Sequence, residues 1–338
     1  MLIIMKAGHQ KKDIDTVVAR IQALGFKSHI IPGEHSVAIG ITGNTGPVDP
    51  EPFSMLEGVE DAIPVTKPYK LAGRDFKPGK TEVKVGKVTF GPGRFVVIGG
   101  PCAVETEEQT LRIADAVAQG GAKILRGGAF KPRSSPYSFQ GLGLQGLKIL
   151  DKARKNTGLP IVTEAVDTES LKMVNDWADI IQIGARNMQN FTLLSEVGKL
   201  RKPVLLKRGM SATIDEWLMA AEYILGEGND QVILAERGVR SFDTHTRNML
   251  DLSAVPVIHS LSHLPILVDP SHGTGKRHMV VPMARSALAA GAQAVMVDVH
   301  DQPETALCDG PQALHPRDFA EMVKSFHALA PALGVKME

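Results

Sequence analysis

The sequence predicts an α/β chain in two parts: a small βαββαβ (ferredoxin-like) module, then a (β/α)8 TIM barrel. Three observations carry that prediction. The first sixty-odd residues read strand, helix, strand, strand, helix, strand. From residue 95 onward, eight short apolar runs alternate with helix-compatible segments, the pattern of parallel strands joined by crossover helices. Each of those runs is followed by a polar, chemically capable residue, where a barrel carries its reactive groups.

In the first part, Leu2–Met5 is a short apolar strand. Ile14, Val17, Val18, Ile21 and Leu24 recur at helical spacing over 11–24, and Gly25 stops that helix. Lys27–Ile31 and Ser36–Thr42 read as strands around the turn signal Pro32-Gly33, Pro52–Glu57 as a short helix and Val59–Val65 as a closing strand. Residues 1–66 thus form a module, and 67–94, rich in Pro, Gly and Lys, form a connector with a hairpin from Glu82 to Phe90.

Residues 95–338 form the barrel. Its strands are Phe95–Gly99, Ala122–Leu125, Pro160–Thr163, Asp179–Ile183, Pro203–Leu206, Gln231–Leu234, Pro265–Val268 and Ala294–Val297. Helices fit 107–119, 143–156, 168–176, 213–226 and 277–290. An open doubly wound sheet would show the same alternation, so the count of eight is what favours closure. The strand ends bring forward Cys102 with Glu105, Arg126 with Lys131 and Arg133, Glu164, Arg186, Lys207, Glu236-Arg237, Asp269 with His272, and Asp298 with His300.

Composition narrows the function. With 338 residues, 43% of them hydrophobic and 22% charged, the chain has ample core to fold. Its net charge of +1 gives no global field for nucleic acid or an anionic membrane, so neither is expected as a partner. No apolar run approaches a membrane span, the N-terminus lacks a signal-peptide profile, and two distant cysteines make no disulfide framework; a cytoplasmic setting is expected.

Against that neutral background, Arg126-Gly-Gly-Ala-Phe-Lys131-Pro-Arg133-Ser134-Ser135 concentrates three cations at one strand end. A short basic cluster is usually a solvated loop. Here the pattern recurs after other strands, at Arg186, Lys207-Arg208 and Arg237, which points to a small, multiply charged anion. Cys102, His272, Asp298 and Asp309 make a plausible metal set; thiolate, imidazole and carboxylates suit Mn²⁺, Fe²⁺ or Zn²⁺ better than Mg²⁺ or Ca²⁺. Each alone is weak, since a lone Cys is usually a small buried hydrophobe. Strands one, seven and eight become neighbours once a barrel closes, and that strengthens the set.

Other motifs carry less. Gly141-x-Gly143-x-x-Gly146, with Glu164 downstream, matches a dinucleotide fingerprint formally, but no apolar strand precedes it. The Gly-Lys pairs at Gly79-Lys80 and Gly275-Lys276 lack the upstream glycine of a phosphate-binding loop. His245, His259 and His263 suit surface or loop roles, and the 13 Met core packing.

Taken together, Gly100-Pro-Cys102-Ala-Val-Glu105, the 126–135 segment, Ile183-Gly-Ala185-Arg186-Asn, Leu206-Lys207-Arg208-Gly, Glu236-Arg237-Gly and Val268-Asp-Pro-Ser-His272 resemble 3-deoxy-D-arabino-heptulosonate 7-phosphate (DAHP) synthase, in the subgroup with an N-terminal ferredoxin-like regulatory domain. The resemblance spans the chain. It implies a transferase of the shikimate pathway that joins phosphoenolpyruvate to erythrose 4-phosphate with release of phosphate. By the same resemblance, Arg126, Lys131, Arg186, Lys207, Arg237 and the Ala185 amide hold phosphoenolpyruvate, and Arg133 and Ser134 hold the phosphate of erythrose 4-phosphate. Cys102, His272, Asp298 and Asp309 hold the divalent metal. The family commonly has Glu where this chain has Asp298, one methylene shorter.

Lys131, Glu164, Lys207, Cys102 and His272 are the implied catalytic groups, and either Glu164 or Lys207 handles the proton of the attacking water. The resemblance further implies a homotetramer inhibited by an aromatic amino acid, Tyr or Phe, bound at the N-terminal module, with His29 a candidate contact. Oligomerisation alone is the other role open to that module. Cys308, beside Asp309, is either an inert loop thiol or near enough to Cys102 for an inactivating disulfide. The alternatives are 3-deoxy-D-manno-octulosonate 8-phosphate synthase, which takes arabinose 5-phosphate, a nicotinamide dehydrogenase, and a non-catalytic amino-acid sensor on a barrel scaffold.

Overall fold

The computed structural model describes all residues except 34–35, 45–47, 65–66 and 134. By internal contacts the chain divides into Met1–Lys70 and Leu71–Glu338.

The first unit runs β1 (Leu2–Met5), α1 (Lys11–Ala23), β2 (Lys27–Pro32), β3 (Val37–Thr42), α2 (Glu51–Ser54) and β4 (Val59–Ile63). Its sheet has the order β2-β3-β1-β4, antiparallel throughout, as a split βαββαβ unit requires. Val17 and Ile21 of α1 pack with Ile3, Met5, Ile39, Phe53 and Val59 in one core. The stripe read from the sequence is narrower than expected: Leu24 is exposed, because it follows the last helical turn.

The second unit opens with a hairpin, β5 (Val83–Val85) and β6 (Val88–Phe90). Eight parallel strands follow: β7 (Arg94–Gly100), β8 (Ile124–Arg126), β9 (Ile161–Ala165), β10 (Ile180–Ile183), β11 (Val204–Lys207), β12 (Val232–Glu236), β13 (Ile266–Val268) and β14 (Ala294–Asp298). β14 pairs with β7 from Ala294↔Val96 to Asp298↔Gly100, so the sheet closes on itself. That closure excludes the open doubly wound alternative. The crossover helices are α3 (Glu107–Gln119), α4 (Leu144–Thr157), α5 (Thr168–Trp177), α6 (Phe191–Gly198), α7 (Ile214–Gly226), α8 (Ala254–Leu261), the short α9 (Pro270–Thr274) and α10 (Arg277–Ala289). The terminal α11 (Pro316–Leu329) leads to β15 (Lys336–Met337), which lies along the start of β7. Among the described residues no helix is long and apolar enough to cross a membrane.

The interior explains where chemistry can sit. Val96, Ile98, Ile124, Val162, Ile180, Leu205, Ile233, Leu267, Ala294 and Met296 form one buried cluster with Val83, Val85, Val88 and Phe90 of the hairpin. The hairpin therefore closes the barrel at the N-terminal ends of its strands. Side chains alternate faces along a strand, so the inward column continues in steps of two. From Ile124 it reaches Arg126, from Val162 Glu164, from Ile180 Gln182, from Leu205 Lys207, from Leu267 Asp269 and from Met296 Asp298. The same columns that build an oily floor turn polar at the opposite rim.

Candidate active site

A cavity of about 270 Å³ opens at that rim, lined by Arg126, Lys131, Arg133, Glu164, Gln182, Ala185, Arg186, Lys207, Arg237, Arg247, His272 and Asp309 among others. All of the cations expected for the anionic substrate therefore face one space. Ser134 lies outside the described residues.

Each cation is held differently. Arg126, 4% exposed, pairs with Asp298 and donates to the Cys102 carbonyl at 3.0 Å. Lys131 Nζ donates to that carbonyl at 3.0 Å and lies 3.2 Å from Cys102 Sγ. Burial alone would lower both pKa values; Asp298 for Arg126, and the two thiols for Lys131, outweigh it and keep both charged. Lys207 Nζ lies 2.5 Å from Asp269 Oδ2. Arg186 and Arg237 have no salt bridge among the described residues, and desolvation lowers the Arg237 pKa. Arg237 is 5% exposed, and a buried guanidinium without a protein carboxylate is costly unless it serves an anionic ligand; Arg186 reaches the cavity from an exposed position.

Cys102, His272, Asp298 and Asp309 offer one donor atom each, all within 4.8 Å of one another. Cys102 Sγ lies 3.1 Å from Asp309 Oδ2 and 3.7 Å from His272 Nε2, and those two are 3.6 Å apart. A tetrahedral centre with bonds of about 2.0–2.3 Å has edges of roughly 3.3–3.8 Å; the three separations, 3.1, 3.7 and 3.6 Å, lie close to that range, so a small adjustment closes the trio on a divalent ion. His272 turns its other nitrogen, Nδ1, to Asp269 Oδ2 at 2.9 Å. Asp269 also accepts the His272 backbone N–H at 3.0 Å, as cap of α9. Burial opposes ionisation of Asp269, but His272 and Lys207 outweigh it and hold the carboxyl well below its usual range. Asp309 is likewise depressed, against burial, by His272 and Arg247.

The thiols are neighbours, with Sγ atoms 3.6 Å apart, and Arg133 Nη1 donates to Cys308 Sγ at 2.7 Å. Their contact, with the cations nearby, brings the Cys308 thiol down to about 7; the same contact and burial push Cys102 well up. The pair thus carries a single charge readily and a second one reluctantly.

Glu164 is buried, its Oε2 accepting from Gln182 Nε2 at 3.0 Å and its Oε1 without a hydrogen-bond partner. It fits because residue 184 is glycine: a Cβ there would stand 2.0 Å from Glu164 Oε1. Lys207 is tied to Asp269, whereas Glu164, which lines the cavity, keeps one buried oxygen without a partner.

Three strand-end residues point elsewhere. Glu236 is fully buried and pairs with Arg208 at 3.0 Å. Glu105 and His300 meet around Gln109, which approaches His300 Nε2 at 2.6 Å and donates to Glu105 at 2.9 Å. His259 and His263 bond to backbone carbonyls of Gly291 and Leu71, and exposed His245 bonds to Asp243. Gly141 serves packing: its φ is +94°, and a Cβ would lie 2.2 Å from the Ala129 carbonyl oxygen. The fingerprint thus opens α4 from an irregular segment instead of a strand, against the dinucleotide reading. On the N-terminal unit, His29 Nε2 meets Thr42 Oγ1 at 2.6 Å across neighbouring strands.

The sequence reading missed Gln182 and Arg247. Gln182 was accessible, since it stands two residues beyond the inward Ile180. Arg247 lies in the long segment after β12, where no periodicity marks an inward position.

Comparison with known proteins follows the same division. Residues 75–332 match the DAHP synthetase I family and residues 1–67 the DAHP synthase ferredoxin-like domain. A phospho-2-dehydro-3-deoxyheptonate aldolase of Thermotoga maritima is 49% identical over 337 residues, covering 100% of both chains. The crystal structure of the T. maritima protein of that name, also titled DAHP synthase, superposes with a TM-score of 0.96 at 49% identity, covering 100% of this chain and 99% of its own. A 2-dehydro-3-deoxyphosphooctonate aldolase of Syntrophobacter fumaroxidans is 33% identical over 244 residues, 67% of this chain and 84% of its own.

Proposed function

Since this chain belongs to the DAHP synthetase I family, we propose that its barrel cavity condenses phosphoenolpyruvate with erythrose 4-phosphate to DAHP and inorganic phosphate. The protein is an enzyme of the transferase type. The observation that carries the reading is the convergence of Arg126, Lys131, Arg186, Lys207 and Arg237 on one cavity beside a thiol, an imidazole and carboxylates.

Two multiply charged anions repel each other, so a cationic cavity supplies attraction and alignment together. Arg186 and Arg237, lacking protein carboxylates, are suited to phosphate or carboxylate oxygens, with the Ala185 amide as a neutral donor. Arg133 and Ser134 are assigned to the aldose phosphate. Cys102, His272, Asp298 and Asp309 would hold a divalent ion (Mn²⁺, Fe²⁺ or Zn²⁺), which when bound supplies Lewis-acid polarisation of the aldehyde. The enol carbon of phosphoenolpyruvate forms the new C–C bond to the aldehyde carbon, whose oxygen gains a proton. Water then adds at the enol C–O carbon, and phosphate leaves with its bridging oxygen. We assign the proton of that water to Glu164, which lines the cavity with its buried Oε1 uncommitted; the engagement of Lys207 with Asp269 favours Glu164 over it.

The proposal extends to the N-terminal module: an aromatic amino acid, Tyr or Phe, binds there with His29 as a contact and inhibits the enzyme, which assembles as a homotetramer.

The deciding assay follows phosphoenolpyruvate consumption and phosphate release with erythrose 4-phosphate and with arabinose 5-phosphate, each with Mn²⁺ and with a chelator. Turnover is expected with the four-carbon acceptor, lost on chelation and restored by metal. Preference for arabinose 5-phosphate would move the chain to the octulosonate activity, and full turnover under chelation would remove the metal from the proposal.

A further inference from the structure

Gln312 is 2% exposed, although it closes a short 3-10 turn, Gly310–Gln312, directly after Asp309. Its side chain links two groups. Arg247 Nη1 donates to Gln312 Oε1 at 3.2 Å, and Gln312 Nε2 donates to Asp298 Oδ2 at 2.6 Å. The orientation of the amide is forced: arginine can only donate and an ionised aspartate can only accept, so the carbonyl must face Arg247 and the NH2 must face Asp298. Arg247 Nη1 also donates to Asp309 Oδ1 at 2.8 Å, leaving Asp309 Oδ2 towards Cys102 and His272. The Arg247 backbone is itself anchored: its N–H donates to the Thr274 carbonyl at 2.9 Å, at the end of the helix that carries His272.

We propose that Arg247 and Gln312 are positioning residues that together aim the two carboxylates of the metal set, Asp309 directly and Asp298 through the Gln312 amide. The proposal rests on the metal reading above. Both carboxylates need such help. Asp309 sits at a backbone φ of +54°, which a non-glycine residue adopts only when its surroundings hold it. Asp298 has its other oxygen drawn to Arg126, so without the Gln312 bond nothing opposes that pull among its hydrogen bonds in the described residues. Hydrogen bonds to ligating carboxylates and imidazoles set their direction, and losing one typically weakens metal affinity about 10- to 100-fold.

Co²⁺ titration of the purified full-length protein, read by its thiolate-to-cobalt absorption, tests this with two variants. Gln312→Met keeps the volume and removes both hydrogen bonds without changing charge. Arg247→Lys keeps the charge but ends short of the Nη1 position from which both bonds are made, at a half-exposed position that tolerates substitution. Gln312→Met is expected to weaken Co²⁺ binding by about 10- to 100-fold and Arg247→Lys by about tenfold. The double variant should be less than additive, because both act along one chain of bonds. Far-UV circular dichroism of both metal-free variants should match the parent, which separates positioning from general disruption.

Parent-like Co²⁺ affinity in the variants, with the cobalt signal intact, would overturn the positioning role alone. Should Gln312→Met fail to fold, Arg247→Lys decides by the same readout. Absence of a thiolate–cobalt signal in the parent protein would instead remove the metal assignment, and the positioning role with it.

Discussion

Asp269 Oδ2 stands 2.9 Å from His272 Nδ1, an ion-pair contact without hydrogen-bond geometry, while His272 Nε2 faces Cys102 and Asp309. A carboxylate behind an imidazole favours the ring orientation that leaves the far nitrogen for the metal set. Asp269→Asn should keep the cap of α9 but lose the charge that holds His272 and Lys207. The expected outcome is metal affinity lower by about 10- to 100-fold, with part of the activity regained at high Mn²⁺. Activity measured as a function of Mn²⁺ concentration checks it; an unchanged half-saturation would refute the orienting role.

Gly184 makes room for Glu164. Gly184→Ala places a methyl group where Glu164 Oε1 now lies, so the carboxylate must swing from its bond with Gln182. If Glu164 handles the proton of the attacking water, kcat should fall by about 10²- to 10⁴-fold. The affinity for phosphoenolpyruvate should change less, since Arg126, Lys131, Lys207 and Arg237, to which it is chiefly assigned, stand on other strand ends. Equal losses in kcat and in affinity would mean that the cavity as a whole had shifted.

Cys102 and Cys308, 3.6 Å apart, are close enough for a disulfide after a small approach of the sulfurs. Diamide can take the two hydrogens as the S–S bond forms. Metal-free enzyme treated with diamide should lose activity and recover it with dithiothreitol, while Cys308→Ser should resist. Loss of activity in Cys308→Ser at the parent rate would leave Cys308 as an inert thiol.

The N-terminal module gives a prediction that needs no structural detail. Tyrosine or phenylalanine should inhibit the whole chain and leave a chain starting near residue 67 untouched. Inhibition that persists in the shortened chain would place the effector site in the barrel.

Asp167 caps α5, accepting from the Ser170 backbone N–H at 2.7 Å, and that bond lowers its pKa. A depressed carboxyl stabilises the fold above the unfolded pKa near ~3.9, and the contribution disappears as pH falls through the folded value. Asp167→Ala should therefore cost about 1 kcal/mol near neutrality. Urea melts at a series of pH values should show parent and variant converging in acid; a gap that persists there would assign the cost to helix propensity.

Much of this was legible in the chain before any coordinates. The inward columns could be followed from Ile124 to Arg126 or from Leu205 to Lys207 because a strand alternates faces without exception over so short a run. Helices α6, α8 and α11 were missed: α6 and α8 span eight residues each, barely two turns, whereas α11 was readable from Phe319, Met322, Val323 and Phe326 at helical spacing. Glu105, Glu236 and His300 were drawn in as strand-end groups, but the two or three residues after a strand can turn either way. Arg247 and Gln312 were out of reach for a related reason: a long connection carries no periodicity, and only the folded chain brings positions 62 and 65 residues apart from their partners.

The hairpin of Val83–Phe90 has a consequence for traffic. With its floor sealed by Val85, Val88 and Phe90, the barrel offers one doorway for two reactants and two products. Whatever lodges deepest must arrive first and leave last. On the function proposed above, the enolpyruvate, assigned to the innermost guanidinium and ammonium groups, is the leading reactant, and the aldose closes the queue behind it.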